Sequence, residues 1–180
     1  MWKKFKEDML KVFENALKEN KVDEGIIALA KKINKNENLM TTSSCFGRII
    51  LLGSDLTKKN TEFYRKWHKP ADLEGVELAA ASYTKKLPLW FRVEPFILHV
   101  SAKDFKSAEE FLVKMRKAGV KRGGIQGTTN GRIVIEVQGT AGMAVPIDVI
   151  DCRWDELVGL ANRMMETNSK QIKKLEKINW

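Results

Sequence analysis

Cysteine is scarce in this chain. There are two, Cys45 and Cys152, far apart and in no metal-ligand spacing. That excludes a disulfide framework and a zinc finger, and leaves two thiols of a reducing compartment. No run of 18 apolar residues occurs, so no membrane-spanning helix is expected. The opening stretch "MWKKFKEDMLKVFENALKENK" mixes acids with bases and lacks a signal peptide's apolar core, so a cytoplasmic protein is expected. There is no GxGxxG after a strand, no GxxxxGK[ST], no HExxH and no GxSxG. Those gaps argue against a dinucleotide fold, a phosphate-binding loop, a zinc protease and a serine-elbow hydrolase. No metal is expected.

What is present is a folding chain with an excess of positive charge. Its 180 residues are 43% hydrophobic, enough for one good core. The net charge is +9, which favours an anionic partner, most often nucleic acid.

Hydrophobic spacing predicts a first helix over 1–20, with Phe5, Met9, Phe13 and Ala16 on one stripe. A second runs from about Asp23, a candidate cap, to Ile33. "GRIILLG" reads as a strand, and "SDLTKKNTEFYRKWHKPAD" as a long basic loop. "LEGVELAAASYTKKL" reads as a helix ended by Pro88. "LWFRVEPFILHVS" reads as a strand divided at Pro95. "SAEEFLVKMRKAG" is a helix with Ser107 and Glu110 in capping-box spacing and Gly119 as its stop. "GRIVIEVQGT" and "MAVPIDVID" are strands. A final helix from Arg153 to about Asn179 buries Leu157, Leu160, Ala161, Met164, Met165, Ile172 and Leu175.

"TTSSCFGRIILL" and "TTNGRIVIEV" share Thr-Thr, a gap, Gly-Arg-Ile and a strand. Their likeness suggests an internal duplication within a single domain spanning 1–180, with halves of about 22–118 and 108–178 sharing the central helix. The expected fold is α+β: a mixed sheet built from two related helix-turn-strand halves, with helices packed outside and not the common Rossmann arrangement.

"TTSSCFGR", Thr41 to Arg48, reads as a polar turn feeding a strand. Its hydroxyls donate and accept, its backbone amides suit an anion, Gly47 permits close approach, and Arg48 brings a planar cationic fork. An ordinary Ser/Thr turn beside a buried cysteine is the other reading. Cys45 is a nucleophile only if a base or cation activates it. In "FRVEPFILHV", alternation puts Phe96, Leu98 and Val100 on one face and His99 on the other, with Arg92 and Glu94 sharing a face. His68, His99 and Glu94 are the candidate bases. Trp67, His68 and Lys69 offer an aromatic surface among charges, as suits unstacked bases. Lys58, Lys59, Arg65, Lys69, Lys121 and Arg122 are candidate phosphate contacts. "VKRGGIQ" is either an anion site or a flexible turn.

"TTSSCFGRI", "WHK", "FRVEPFILHV", "KRGGI", "VPID" and "LANRMMETNSKQIKKL", with "VDEGIIALAKKIN" upstream, resemble the tRNA wybutosine-synthesizing protein 3 family from about Val22 to Leu175. The resemblance implies an S-adenosyl-L-methionine-dependent methyltransferase. Its substrate would be a tricyclic wyosine precursor at guanosine 37 of phenylalanine tRNA, bearing an aminocarboxypropyl arm and methylated at N4. It implies Thr42, Ser43, Ser44, Arg48 and Gly124 at the cofactor, and Ser43, Ser44, Arg48, His68, Glu94 and His99 at the reaction. Lys58, Lys59, Arg65, Trp67, Lys69, Lys121 and Arg122 would meet RNA. Cys45 is expected to turn inward as packing. Phe46 stands where the family usually has a small residue, and Gly123 where serine is common. A non-enzymatic basic RNA-binding module, or a thiol enzyme using Cys45, are the competing readings. The oligomeric state is not legible.

Overall fold

A computed structural model describes residues 1–151 and 153–180; Cys152, one of the two thiols, lies outside the described residues. The element order is α1 (Trp2–Lys18), α2 (Glu24–Asn34), β1 (Leu39–Cys45), β2 (Arg48–Ser54), β3 (Thr61–Trp67), α3 (Leu73–Ala81), β4 (Leu89–Glu94), β5 (Ile97–Ala102), α4 (Phe105–Lys117), β6 (Arg122–Thr129), β7 (Arg132–Gln138), β8 (Met143–Pro146) and α5 (Trp154–Leu175). The α+β class stands. The strands form two four-stranded sheets, ordered β1-β5-β7-β6 and β3-β2-β4-β8, and every pairing in them is antiparallel. No crossover of the Rossmann kind is built on such sheets.

The chain divides into two compact units, each assembled from separated segments. The first comprises Met1–Phe46, Phe96–Thr140 and Ser169–Trp180. Its sheet is β1-β5-β7-β6. One face carries Leu98, Val100, Ile133, Ile135 and Val137 into a core with Ile26, Leu29 and Ile33 of α2 and Phe111 and Met115 of α4. Alternation of apolar and polar residues along β5 and β7 fixes this face. The stripe of α1 turns to β1 instead: Met9, Phe13 and Ala16 line a cleft with Thr41–Ser44. Lys6 Nζ donates to the carbonyls of Asn36 and Leu39, and its partial burial holds its ammonium below the usual lysine range. The Arg132 guanidinium lies 3.7 Å from the centre of the Phe5 ring.

The second unit comprises Gly47–Pro95 and Ala141–Asn168. Central strand β2 is almost wholly buried, from Ile49 to Ser54. Leu89, Phe91 and Val93 of β4 are buried while Trp90, Arg92 and Glu94 alternate outward. Phe91 meets Trp154 of α5 edge to face, 6.2 Å between ring centres. The buried stripe of α5 includes Val158, Ala161 and Met165; Leu160, expected inside, is exposed.

Several local expectations change. "TTSSC" is a strand, not a turn. It pairs along β5 with Thr42 as the extra residue of a register shift. The middle of the expected basic loop, Thr61–Trp67, is the edge strand β3, paired to β2. "RGGIQ" is strand β6 rather than a turn. Helix α4 is capped by Asp104, whose carboxylate accepts from Ser107 N at 2.8 Å and Ser107 Oγ at 2.7 Å. Helix α3 ends at Ala81, well before Pro88. The two Gly-Arg-Ile segments open central strands of different sheets. The second begins at Gly131, which with Asn130 before it takes positive φ (73° and 49°) between the paired strands β6 and β7. That is the asparagine-glycine chemistry of a primed hairpin turn. The first follows β1, which belongs to the other sheet.

Candidate functional site

In the first unit, the sheet face opposite the core carries one polar row. Ser43 of β1 stands opposite His99 of β5, His99 opposite Glu136 of β7, and Glu136 opposite Gly124 of β6. Paired residues project to the same face, so four strands deliver this row. His99 Nε2 and Glu136 Oε2 are 2.7 Å apart. A carboxylate only accepts, so Nε2 carries the proton and neutral His99 keeps Nδ1 as its acceptor. That Nδ1 is buried and has no hydrogen-bond partner among the described residues. Ser44 Oγ is in the same condition. The Thr42 hydroxyl donates to the His99 carbonyl at 3.3 Å. A side chain at Gly124 would meet no heavy atom within 4 Å, so the surface above Glu136 is open at that end.

Beside Ser43 and Ser44 lies the cleft under α1, about 220 Å³ in volume. Met9, Val12, Phe13 and Ala16 supply an apolar wall, and Thr41–Ser44 with Lys21 a polar one. Such a mixture suits a ligand with an apolar body and a charged end. Cys45 is half-buried opposite Ile97. By alternation it shares the face of Ser43 and His99 rather than turning to the core. Phe46 packs its ring against α2: a Cβ on Gly25 would lie 2.4 Å from its Cδ2.

In the second unit, Arg48 Nε donates to Glu94 Oε2 at 2.7 Å, with both side chains about a quarter exposed. Its guanidinium also lies 4.8 Å from the centre of the Phe63 ring. The Arg48 fork is thus already half engaged, by a residue directly opposite it in the β2–β4 register. Arg92 Nη2 approaches the other oxygen of Glu94 at 3.8 Å. Lys66 Nζ caps Phe63 at 4.4 Å from the ring centre.

The remaining sequence-predicted residues divide between the units. Lys121 and Arg122 are exposed at the start of β6 in the first. Lys58 and Lys59 are exposed in the β2–β3 loop of the second. That loop is ordered by Asp55, which accepts from Thr57 N at 2.9 Å and from Asn60 Nδ2 at 2.7 Å. These bonds hold the Asp55 carboxyl below its usual range. Arg65 is exposed on β3 and stacks on Tyr64, 4.6 Å from the ring centre. Trp67 is half-buried at the end of β3, with His68 and Lys69 exposed beyond it. Sequence reasoning missed Glu136, Phe63 and Lys66. Alternation in "RIVIEVQ" places Glu136 outward, but its partner is set by a register with a strand 37 residues away.

The family described as methyltransferase TYW3 matches residues 2–178. The tRNA(Phe) 7-((3-amino-3-carboxypropyl)-4-demethylwyosine(37)-N(4))-methyltransferase 1 of Pyrococcus horikoshii is 36% identical, over 97% of this chain and 93% of its own. The enzyme of the same name from Thermococcus kodakarensis is 34% identical over 95% and 90%. A solved structure of a Pyrococcus horikoshii protein superposes with a TM-score of 0.90 at 33% identity, covering 98% of this chain and 93% of that one.

Proposed function

This chain belongs to the TYW3 methyltransferase family, and from that membership we propose that it transfers a methyl group from S-adenosylmethionine to N4 of 7-aminocarboxypropyl-demethylwyosine at position 37 of phenylalanine tRNA. The observation that carries the reading is agreement in sequence, over nearly the whole chain, with relatives named for this reaction. The non-enzymatic module is not favoured, because those relatives are named as methyltransferases.

The methyl donor, when bound, supplies an electrophilic methyl group on a sulfonium together with a carboxylate, an amine and an adenine. The residues of the first unit fit such a group. Ser43 and Ser44 line a cleft that offers an apolar wall and a polar one, and Gly124 leaves open space. Thr42, Ser43, Ser44 and Gly124 are therefore the proposed donor-binding residues of this unit. Arg48 of the second unit, oriented by Glu94, is by itself a candidate carboxylate-binding residue through its remaining guanidinium nitrogens.

Methyl transfer needs no covalent enzyme intermediate. The protein's task is to align the accepting nitrogen and exclude water. That nitrogen must lose a proton, and His99 is the proposed acceptor. The hydrogen bond to Glu136 fixes its tautomer and stabilises the imidazolium that forms. His68 and Glu94 remain the alternative bases of the proposal. Exposed Lys58, Lys59, Arg65, Lys69, Lys121 and Arg122, with Trp67, are the proposed RNA contacts. Lysine and arginine gain affinity there by releasing counterions from phosphate.

The test is transfer of labelled methyl to phenylalanine tRNA that carries the aminocarboxypropyl precursor. Label in the modified tRNA and none in unmodified tRNA is expected. A folded protein that labels neither would overturn the reading.

A further inference from the structure

A cavity in the second unit, about 440 Å³ in volume, is lined by Arg92, Lys58, Trp90, Leu52, Thr57 and Ala144 among others. No acidic residue lines it among those described. Arg92 stands opposite Ala144 in the β4–β8 register, on the outward face of β4 together with Trp90. Its Nε is buried with no hydrogen-bond partner among the described residues. Its nearest acid is Glu94, at 3.8 Å, outside hydrogen-bond range. Glu94 is already held at 2.7 Å by Arg48. One carboxylate thus stands against two guanidinium groups, and Lys58 adds a further cation at the rim. Trp90 is fixed in plane by its indole N–H, which donates to the Ser54 carbonyl at 3.0 Å. The cavity therefore combines two under-neutralised cations, one oriented aromatic ring and an apolar floor.

We propose that this cavity is a nucleotide subsite, taking a phosphate of the RNA substrate on Arg92 and Lys58 and an unpaired base on Trp90. The chemistry is that of single-strand recognition: cations along the backbone and an aromatic ring for a base of any sequence. The nucleotide is one outside the methylated base. The inference rests on the RNA substrate proposed above and deepens it. The same cations would also accept the carboxylate of the methyl donor, so the test separates the two sources.

Affinity for unmodified phenylalanine tRNA is measured over a range of salt, and affinity for S-adenosylmethionine by calorimetry, for wild type, Arg92→Gln, Arg92→Lys and Trp90→Leu. Arg92→Gln should weaken tRNA binding several-fold and reduce the log–log salt slope by about 0.7, the release expected per phosphate contact on a single strand. Arg92→Lys should keep the slope. Trp90→Leu should weaken binding about fivefold or more without changing the slope. Affinity for the donor should not move in any of them. A folded Arg92→Gln protein with wild-type tRNA affinity and slope would overturn the subsite. So would loss of donor affinity with tRNA binding intact, which would assign the cavity to the donor. Because binding is read on unmodified tRNA, a wild type that binds tRNA but transfers no methyl group would refute the function and leave this inference standing.

Discussion

Gly123 and Gly124 are neighbours in β6 with opposite tolerance for a side chain. Gly123 has φ +139°, and a Cβ there would lie 2.3 Å from the Glu136 carbonyl oxygen and 2.6 Å from Val137 Cα. Both clashing atoms are backbone of β7, paired to β6, so neither can rotate away. Serine at position 123 would have to take a glycine-only backbone conformation, at about 1–3 kcal/mol. Overpacking against a fixed strand adds about 1–3 kcal/mol more. At roughly 2–4 °C per kcal/mol for a chain of this size, Gly123→Ser should melt roughly 4–24 °C below wild type. Gly124→Ser is the control. Its Cβ meets nothing within 4 Å, so its melting temperature should stay within about 2 °C of wild type. Thermal unfolding followed by circular dichroism reads both. A Gly123→Ser protein that melts with wild type, or two variants that melt alike, would refute the reasoning.

Asp104→Ala removes the cap of α4 and should cost about 1 kcal/mol, read as a lower denaturant midpoint. The two bonds from Ser107 hold the Asp104 carboxyl below its usual value. Its folded pKa is thus lower than its unfolded one. The share of stability it contributes is complete above the unfolded value and is lost as pH falls through the folded one. The penalty of Asp104→Ala should therefore shrink in strong acid, and an acid-independent penalty would contradict the assignment. Gly25→Ala drives its methyl into the Phe46 ring and should destabilise by about 1–3 kcal/mol. Adding Phe46→Ala should relieve part of that penalty, so strictly additive effects in chemical denaturation would count against the contact. Arg48→Ala should lower kcat/KM for modified tRNA about tenfold to a hundredfold, the worth of one charge-assisted hydrogen bond. Arg48→Lys should recover only part, because an ammonium cannot reproduce the fork; wild-type efficiency of folded Arg48→Ala would make Arg48 a structural partner of Glu94 alone.

The elements legible in the sequence are those whose periodicity is set by burial. Phe5, Met9, Phe13 and Ala16 announce α1, and Phe96, Leu98 and Val100 announce the core face of β5 against His99. Strands β1, β3 and β6 were hidden for physical reasons. β1 is written in Ser, Thr and Cys because part of it faces a cleft and not a core. β3 is an edge strand, and its Lys, Arg and Glu read as loop although edge strands commonly carry charge. β6 holds three glycines, Gly123, Gly124 and Gly127, which weaken any strand signal; the Asn130-Gly131 turn after it was the readable mark. The charged pairs were out of reach for a different reason. Arg48 meets Glu94, and His99 meets Glu136, through strand registers that pair residues 46 and 37 positions apart.

The central claim is a methyl transfer, and nucleoside analysis of the product tests it most directly. Phenylalanine tRNA bearing the aminocarboxypropyl precursor at position 37 is incubated with the protein and S-adenosylmethionine, digested, and resolved by mass spectrometry. A precursor nucleoside heavier by one methyl group, with fragmentation placing that group at N4 of the tricyclic base, is the predicted result. An unchanged precursor in the presence of folded protein that binds both ligands, or a methyl group carried elsewhere on the tRNA, would contradict it.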